Sequence, residues 1–351
     1  MKILVYGAGA VGGYLGAVLT RAEHDVTLVT RQQTAEFIKK RGLLLSEADG
    51  TNLRLHPEVV TSIRLAFIDD QRYDLILLTM KSYDVEEALN SLVAFAPEPL
   101  APVVTLQNGI GLEELVKKAL NSDAVIAGSL TTPLSRPTPE QIQVERAGRG
   151  LALAPTQSGQ KIQPWAELFT DVGIDTIAVK DHRAMKWSKA LLNMMGNATS
   201  AIINRHPRVI YGATPTFELE MEMLNEALAV MKALKVPVVD LPGAPATRLA
   251  KGVRRLPAFL LKPVLVRLID SGRGDKMPSF HMDLTAGKKD NEVVYHNGAV
   301  AAAGHELNVP TPVNAALTDI LLKMARGEID WTVYDGNPGK LVEAVERYKQ
   351  Q

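Results

Sequence analysis

Lys2-Ile3-Leu4-Val5-Tyr6-Gly7-Ala8-Gly9-Ala10-Val11-Gly12 opens the chain and sets its architecture. Lys2 to Tyr6 is a short apolar run of the kind buried on both faces of a parallel sheet. A helical pattern follows to about Arg21, and Asp25 to Thr30, DVTLVT, reads as a second strand. Strand, glycine turn, helix and strand in quick succession form a dinucleotide-binding unit. Gly7 permits the tight turn, Gly9 lets the backbone approach a pyrophosphate, and Gly12 lets helix and strand pack closely. Ala8, Ala10 and Val11 complete the loop, and the helix N-terminus offers amide donors and partial positive charge to phosphates. The competing reading is a glycine turn that binds nothing.

The residue after the second strand selects the cofactor. An acidic side chain there would accept from a ribose 2′-hydroxyl and indicate NAD. Here the strand ends Val29-Thr30-Arg31-Gln32, without a carboxylate. Arg31 suits a 2′-phosphate through a charge-assisted fork, which favours NADP(H); otherwise it is a solvated loop residue. Tyr73 to Met80 is a further buried strand ending in Lys81, and Val103 to Leu106 ends in Gln107-Asn108-Gly109. In a doubly wound sheet ligands sit beyond the carboxyl ends of the strands, where both Lys81 and Asn108 fall. Lys81 could meet cofactor phosphate or ribose, and Asn108 the nicotinamide ribose or the substrate.

Further strands are expected at Ala124 to Ser129, Gln141 to Arg146, Gly150 to Leu153 and Asp175 to Val179, with a helix at Ile162 to Asp171. The prolines of Thr131 to Pro139 argue against a central strand there. The pattern turns helical after Asp181. The expectation is an α/β protein: an N-terminal Rossmann-type doubly wound sheet over residues 1–180, binding NADP, and an all-helical C-terminal domain over residues 181–351, holding substrate and catalytic groups.

Within the second half, Met185 to Ile203, MKWSKALLNMMGNATSAII, reads as one helix. Lys189, Asn193 and Asn197 recur every fourth residue, so they step by about 40° and form one polar stripe. Their neighbours are apolar or small, which predicts a buried helix. Buried polar groups need partners, and a polar substrate is one candidate. The alternative is a snorkelling lysine with asparagines bound to nearby backbone. Pro215 to Lys235 reads as a long amphipathic helix. Pro237 to Gly274 is rich in proline and basic residues, among them Arg248, Lys251, Arg254, Arg255, Lys262, Arg267 and Arg273. It suits either an anionic surface or helices with solvated basic faces, kinked at Pro257 and Pro263. Ser279 is a candidate helix cap whose hydroxyl could bind a carboxylate. Glu292, in a first helical turn, suits a surface dipole contact when taken alone.

Composition narrows the function classes. Across 351 residues the 39 basic and 39 acidic side chains balance, so bulk charge gives no reason to expect nucleic acid or an anionic membrane. The absence of cysteine removes disulfides, thiolate metal sites and thiol catalysis. The seven histidines are scattered without metal-ligand spacing, so no metal site is expected. No secretory leader and no membrane span are expected, and a cytoplasmic location fits.

Taken in order, GAGAVG at Gly7, Lys81, QNGIG at Asn108, KWSKALLNMMGN at Lys189, Ser279 before Phe280-His281-Met282-Asp283, and NEVVYHNGAV at Glu292 resemble ketopantoate reductase (2-dehydropantoate 2-reductase). The resemblance implies NADPH-dependent reduction of ketopantoate to pantoate, toward pantothenate and coenzyme A. It implies Lys189 as the catalytic acid, with Glu292 contacting the cofactor ribose or orienting the substrate. Asn193, Asn197 and Ser279 would hold substrate, with Lys81 and Asn108 at the cofactor and its reacting end. A small 2-keto acid is the expected partner, and a homodimer is left open. Three features depart from the family pattern. Asn291 and Val294 replace its threonine and aspartate, Phe280-His281-Met282 replaces Met-Leu-Gln, and extra residues lie within about 240–274. These motivate two alternatives, a reductase of a different 2-keto acid and a non-catalytic NADPH-binding sensor.

Overall fold

A computed structural model of the chain describes residues 1–273 and 276–350, without the side chains of residues 270–273. Gly274, at the end of the basic stretch, Gln351, at the end of the expected second domain, and the side chain of Arg273 therefore lie outside the described residues. The chain divides into two compact units, Met1–Met185 with Leu241–Ala244, and Lys186–Asp240 with Pro245–Gln351.

The strands of the first unit are β1 (Lys2–Tyr6), β2 (Asp25–Val29), β3 (Leu43–Ser46), β4 (Asn52–Leu55), β5 (Glu58–Val60), β6 (Leu75–Leu78), β7 (Val103–Thr105), β8 (Val125–Leu130), β9 (Leu134–Thr138), β10 (Gln141–Val144), β11 (Gly150–Pro155) and β12 (Asp175–Ala178). The main sheet has eight strands in the order β12-β11-β8-β7-β6-β1-β2-β5. Pairing is parallel from β5 through to β8, and the β11–β12 pair joins β8 in the antiparallel sense. Strands β6, β7 and β8 are buried along their whole length, and β1 through its centre, because helices cover both faces of a parallel sheet. Ile3, Leu4, Val5 and Leu75 to Leu78 are completely buried. At about 1.5–3 kcal/mol for each fully buried aliphatic side chain, these central strands hold the unit together.

A second sheet, in the order β4-β3-β10-β9, was not foreseen as a unit. Its apolar faces join the core beneath the helix Ala10–Arg21, with Ile142, Leu43 and Leu45 buried beside Tyr14, Leu15 and Val18. The proline-rich segment forms β9 at the edge of this sheet, where Pro137 costs no central ladder bond.

Past Ala178 the described residues form helices and connections, apart from an isolated bridge between Leu241 and Ala244. The single helix expected over Met185 to Ile203 is corrected. A helix His182–Met194 stops, and another, Ala198–Ile203, begins after a break. Gly196 lies in the break at φ +59°, a conformation that ends a right-handed helix and favours glycine. The basic stretch folds as the helices Ala246–Arg255 and Ala258–Arg273, with Pro257 between them and Pro263 inside the second. No helix among the described residues is long and apolar enough to cross a membrane.

Candidate active site

In the first unit the glycine turn joins the end of β1 to the helix Ala10–Arg21. Gly7 sits at φ +107°, and a Cβ there would press the Met80 amide nitrogen at 2.9 Å. At Gly12 a Cβ would lie 1.9 Å from the Gly7 carbonyl oxygen and 2.4 Å from Thr79 Oγ1. Thr79, just beyond β6, clamps the turn. Its hydroxyl lies 2.5 Å from the Gly7 carbonyl oxygen and 3.0 Å from that of Tyr6. Gly9 is different: a Cβ there would meet nothing within 4 Å. The fold thus accounts for Gly7 and Gly12 by internal packing but not for Gly9. The turn and the helix N-terminus, which has no acidic residue in its first turn, fit a dinucleotide pyrophosphate approaching from that side.

The neighbouring loops are tied together. Lys81 precedes the 3₁₀ turn Ser82–Asp84, and the Ser82 hydroxyl donates to the Asn108 carbonyl at 2.6 Å. Gln107 Nε2 donates to Met80 Sδ at 3.2 Å. The two loops that carry Lys81 and Asn108 are therefore one bonded rim beyond β6 and β7.

Arg31 is the exposed N-cap of the helix Gln32–Arg41. Sequence reasoning missed the cation beside it, Arg136 on β9. One Arg136 terminal nitrogen donates to Thr34 Oγ1 in that helix's first turn and to the Pro139 carbonyl, both at 2.8 Å. Partial burial, opposed by the carboxylate of Glu140 and reinforced by the charge of Arg31, holds the Arg136 guanidinium below its ordinary pKa. Two like charges gathered at the end of β2 suit a dianionic group. More than a hundred residues separate them in sequence, so only the fold of the small sheet could reveal the pair.

In the second unit a hydrogen-bonded chain links three of the residues named above, Asn193, Asn197 and Ser279. Asn197 Nδ2 donates to the Asn193 carbonyl at 3.2 Å and reaches Ser279 Oγ at 3.4 Å, while Asn197 Oδ1 accepts from the Phe280 amide at 3.1 Å. Asn291 continues the chain. Its Nδ2 donates to the Phe280 carbonyl at 3.3 Å, and its Oδ1 accepts from the Val293 amide at 2.9 Å, capping the 3₁₀ turn Glu292–Tyr295.

Four expectations change here. Lys189 and Asn193 lie on a half-buried edge of their helix rather than a fully buried one. Asn197 is buried and spends its carboxamide on the protein, because the helix break turns it toward Ser279. Ser279 is the first residue of the helix Ser279–Thr285 and does not cap it; Pro278 holds the cap position and Asn197 takes the Phe280 amide. Glu292 is buried at 3% exposure, so it is not a surface dipole contact. Lys186, one turn before Lys189, is likewise buried at 3% and was passed over in sequence. Among the described residues no cluster of three or more His, Asp or Glu side chains could hold a metal ion.

Comparison with known proteins identifies the family. The model of ketopantoate reductase PanE/ApbA matches residues 3–153, and that of the PanE/ApbA C-terminal region matches residues 181–325. A 2-dehydropantoate 2-reductase of Pyrococcus horikoshii is 29% identical over 322 residues, 90% of this chain and 95% of the relative. A PanE/ApbA family ketopantoate reductase of Ralstonia eutropha superposes with a TM-score of 0.78 at 25% identity, over 93% of this chain and 99% of that one. D-mandelate dehydrogenase with NADH and anilino(oxo)acetate has the same fold, with a TM-score of 0.78 at 20% identity and the same coverage. The chain belongs to the ketopantoate reductase PanE/ApbA family.

Proposed function

We propose that this oxidoreductase uses NADPH to reduce a small 2-keto acid, and that its substrate is ketopantoate (2-dehydropantoate), giving pantoate on a route to pantothenate. The observation that carries the reading is the chain from Asn193 through Asn197, Ser279 and Phe280 to Asn291 and the turn of Glu292. It gathers three segments that are far apart in sequence, and each segment holds a residue suited to a keto acid.

When bound, the reduced nicotinamide supplies a hydride to the keto carbon. The chain's own residues do the rest. The Lys189 ammonium donates a proton to the keto oxygen as it becomes an alcohol, and stabilises the negative charge that develops there. The Asn193 carboxamide and the Ser279 hydroxyl hold the acid by hydrogen bonds. Glu292 contacts a ribose hydroxyl of the cofactor or orients the substrate. Gly7, Ala8, Gly9, Ala10, Val11 and Gly12 cradle the pyrophosphate, and Lys81 and Asn108 meet the ribose and its reacting end. Arg31, joined by Arg136, supports NADP(H) over NAD(H), because a 2′-phosphate offsets the repulsion between the two guanidiniums.

Two of the departures from the family pattern have structural accounts. Asn291 caps the Glu292 turn as a threonine would, and Phe280 is a fully buried core residue. Neither requires a different substrate. The test is NADPH consumption with a panel of 2-keto acids. Ketopantoate is expected to give the highest kcat/KM. A preference of about tenfold or more for another keto acid replaces the substrate, and NADPH binding without any reduction replaces the enzyme with a sensor.

A further inference from the structure

A buried carboxylate that no part of the proposed chemistry uses stands behind the asparagine pair. Glu220, on the helix Thr214–Ala233, is completely buried. Its Oε2 accepts from the Gly196 amide and from the Tyr211 hydroxyl, both at 2.8 Å, and its Oε1 accepts from the Thr199 hydroxyl at 2.6 Å. A fully buried carboxylate is tolerated only when its lone pairs are satisfied in this way.

The position of these bonds gives them meaning. Gly196 is the residue in the left-handed conformation at which the lysine helix breaks, and Thr199 lies in the first turn of the helix that follows. Met194 closes the first helix, and its carbonyl accepts from the Asn197 amide at 3.0 Å across the break. Glu220 therefore grips the middle of a three-residue joint and the first turn of the helix beyond it. Without the joint, Asn197 would continue the stripe one turn beyond Asn193, about 40° further round the same rod. With it, Asn197 turns to Ser279 and the Phe280 amide.

We propose that Glu220 is a positioning residue for the keto-acid site: it holds the Gly196 break so that Asn193 and the Asn197–Ser279 pair present one fixed set of hydrogen-bonding groups. This rests on the functional reading above. Glu220 acts through Gly196 and Thr199 and does not touch substrate. The break has a packing wall as well, since a Cβ at Gly196 would lie 3.0 Å from Pro207 Cβ and 3.3 Å from the Tyr211 ring. The carboxylate supplies what that wall cannot, acceptors for an amide inside the joint and for a hydroxyl on the helix beyond it.

The experiment compares Glu220→Leu, Glu220→Gln and Tyr211→Phe in the full chain, measuring kcat, keto-acid KM and NADPH affinity. Glutamine keeps an acceptor for Gly196 and Tyr211, and the Thr199 hydroxyl can rotate to accept from its amide. Glu220→Gln is therefore expected to stay within about threefold of the parent in keto-acid KM, while Glu220→Leu raises it about tenfold or more with NADPH affinity unchanged. Tyr211→Phe removes one donor without enlarging the core, so it reports even where the leucine variant does not fold. It is expected to raise keto-acid KM by about twofold to fivefold. A purely structural carboxylate would lower thermal stability and active fraction and leave keto-acid KM in place; that result, or an unchanged KM in Tyr211→Phe when leucine is not tolerated, overturns the proposal. A parent protein that turns over no 2-keto acid overturns both this inference and the function on which it rests, whereas a parent that turns over with KM unmoved in the variants overturns this inference alone.

Discussion

Gly9→Ala separates the cofactor role of the glycine turn from its folding role. Gly9 has φ −73° and ψ −162°, which any L-residue adopts, and an added Cβ would meet no protein atom within 4 Å. Restricting the unfolded chain favours alanine by about 0.4–1 kcal/mol, whereas alanine is a poorer N-cap than glycine by a similar amount. The two effects offset, so the melting temperature without cofactor is expected to stay within a few degrees of the parent. Cofactor binding is not expected to survive in the same way, because the methyl group occupies the side from which the pyrophosphate approaches. A tenfold loss of affinity is the smallest effect anticipated. At a cofactor concentration about a hundred times the parent's Kd, the parent gains about 2.7 kcal/mol of stability from binding, and a variant ten times weaker gains about 1.4 kcal/mol. Thermal unfolding with and without NADPH reads both quantities in one series. An alanine variant whose NADPH-induced shift equals the parent's would refute the assignment of this turn to the pyrophosphate. Gly12→Ala is the opposite case. Its Cβ would lie 1.9 Å from the Gly7 carbonyl oxygen, so it should destabilise the protein before any ligand is added.

Other consequences are equally direct. Lys189→Ala should lower kcat by about two to four orders of magnitude while NADPH affinity holds, measured by steady-state kinetics and cofactor titration; unchanged turnover removes Lys189 from the chemistry. Arg136→Ala should raise the KM for NADPH about tenfold and leave that for NADH in place, and the effect should shrink in an Arg31→Ala background because both act on one phosphate. Asn197→Ala leaves the buried Phe280 amide without the acceptor it has at 3.1 Å, which costs about 1–3 kcal/mol and should appear as a lower melting temperature together with weaker keto-acid binding. Asn197→Asp keeps that acceptor but sets a carboxylate oxygen against the Asn193 carbonyl to which Nδ2 donates at 3.2 Å, so it should not recover the stability.

Much of this protein is legible locally. Lys2 to Gly12 carries its own instructions, because an apolar run long enough for one strand and glycines at fixed offsets leave few alternatives to a strand, a turn and a helix. The same holds for the apolar runs at Leu75–Leu78 and Val103–Thr105, whose ends place Lys81 and Asn108. Periodicity found the lysine helix and put Lys189 and Asn193 on one edge. It failed at Gly196, and for a physical reason. A glycine in apolar company is compatible with an unbroken helix, and the carboxylate that takes its amide at this break lies twenty-four residues later in the chain. Arg136 was invisible on the same grounds. Nothing in a proline-rich connection says that it will form an edge strand and lay a guanidinium on Thr34.

What the chain dictates by short-range chemistry, then, is the central strands and most of its helices, the glycine turn after β1, and the polar edge of the lysine helix. Tertiary structure alone decided that Asn197 bonds to Ser279 and Phe280, that Asn291 caps the turn of a buried Glu292, and that Arg31 has a second cation beside it. Strand and helix patterns depend on neighbours a few positions apart, which one sequence displays. Hydrogen bonds between segments eighty or a hundred residues apart depend on how those elements pack, and a side chain's partner is settled only when both arrive in the same place.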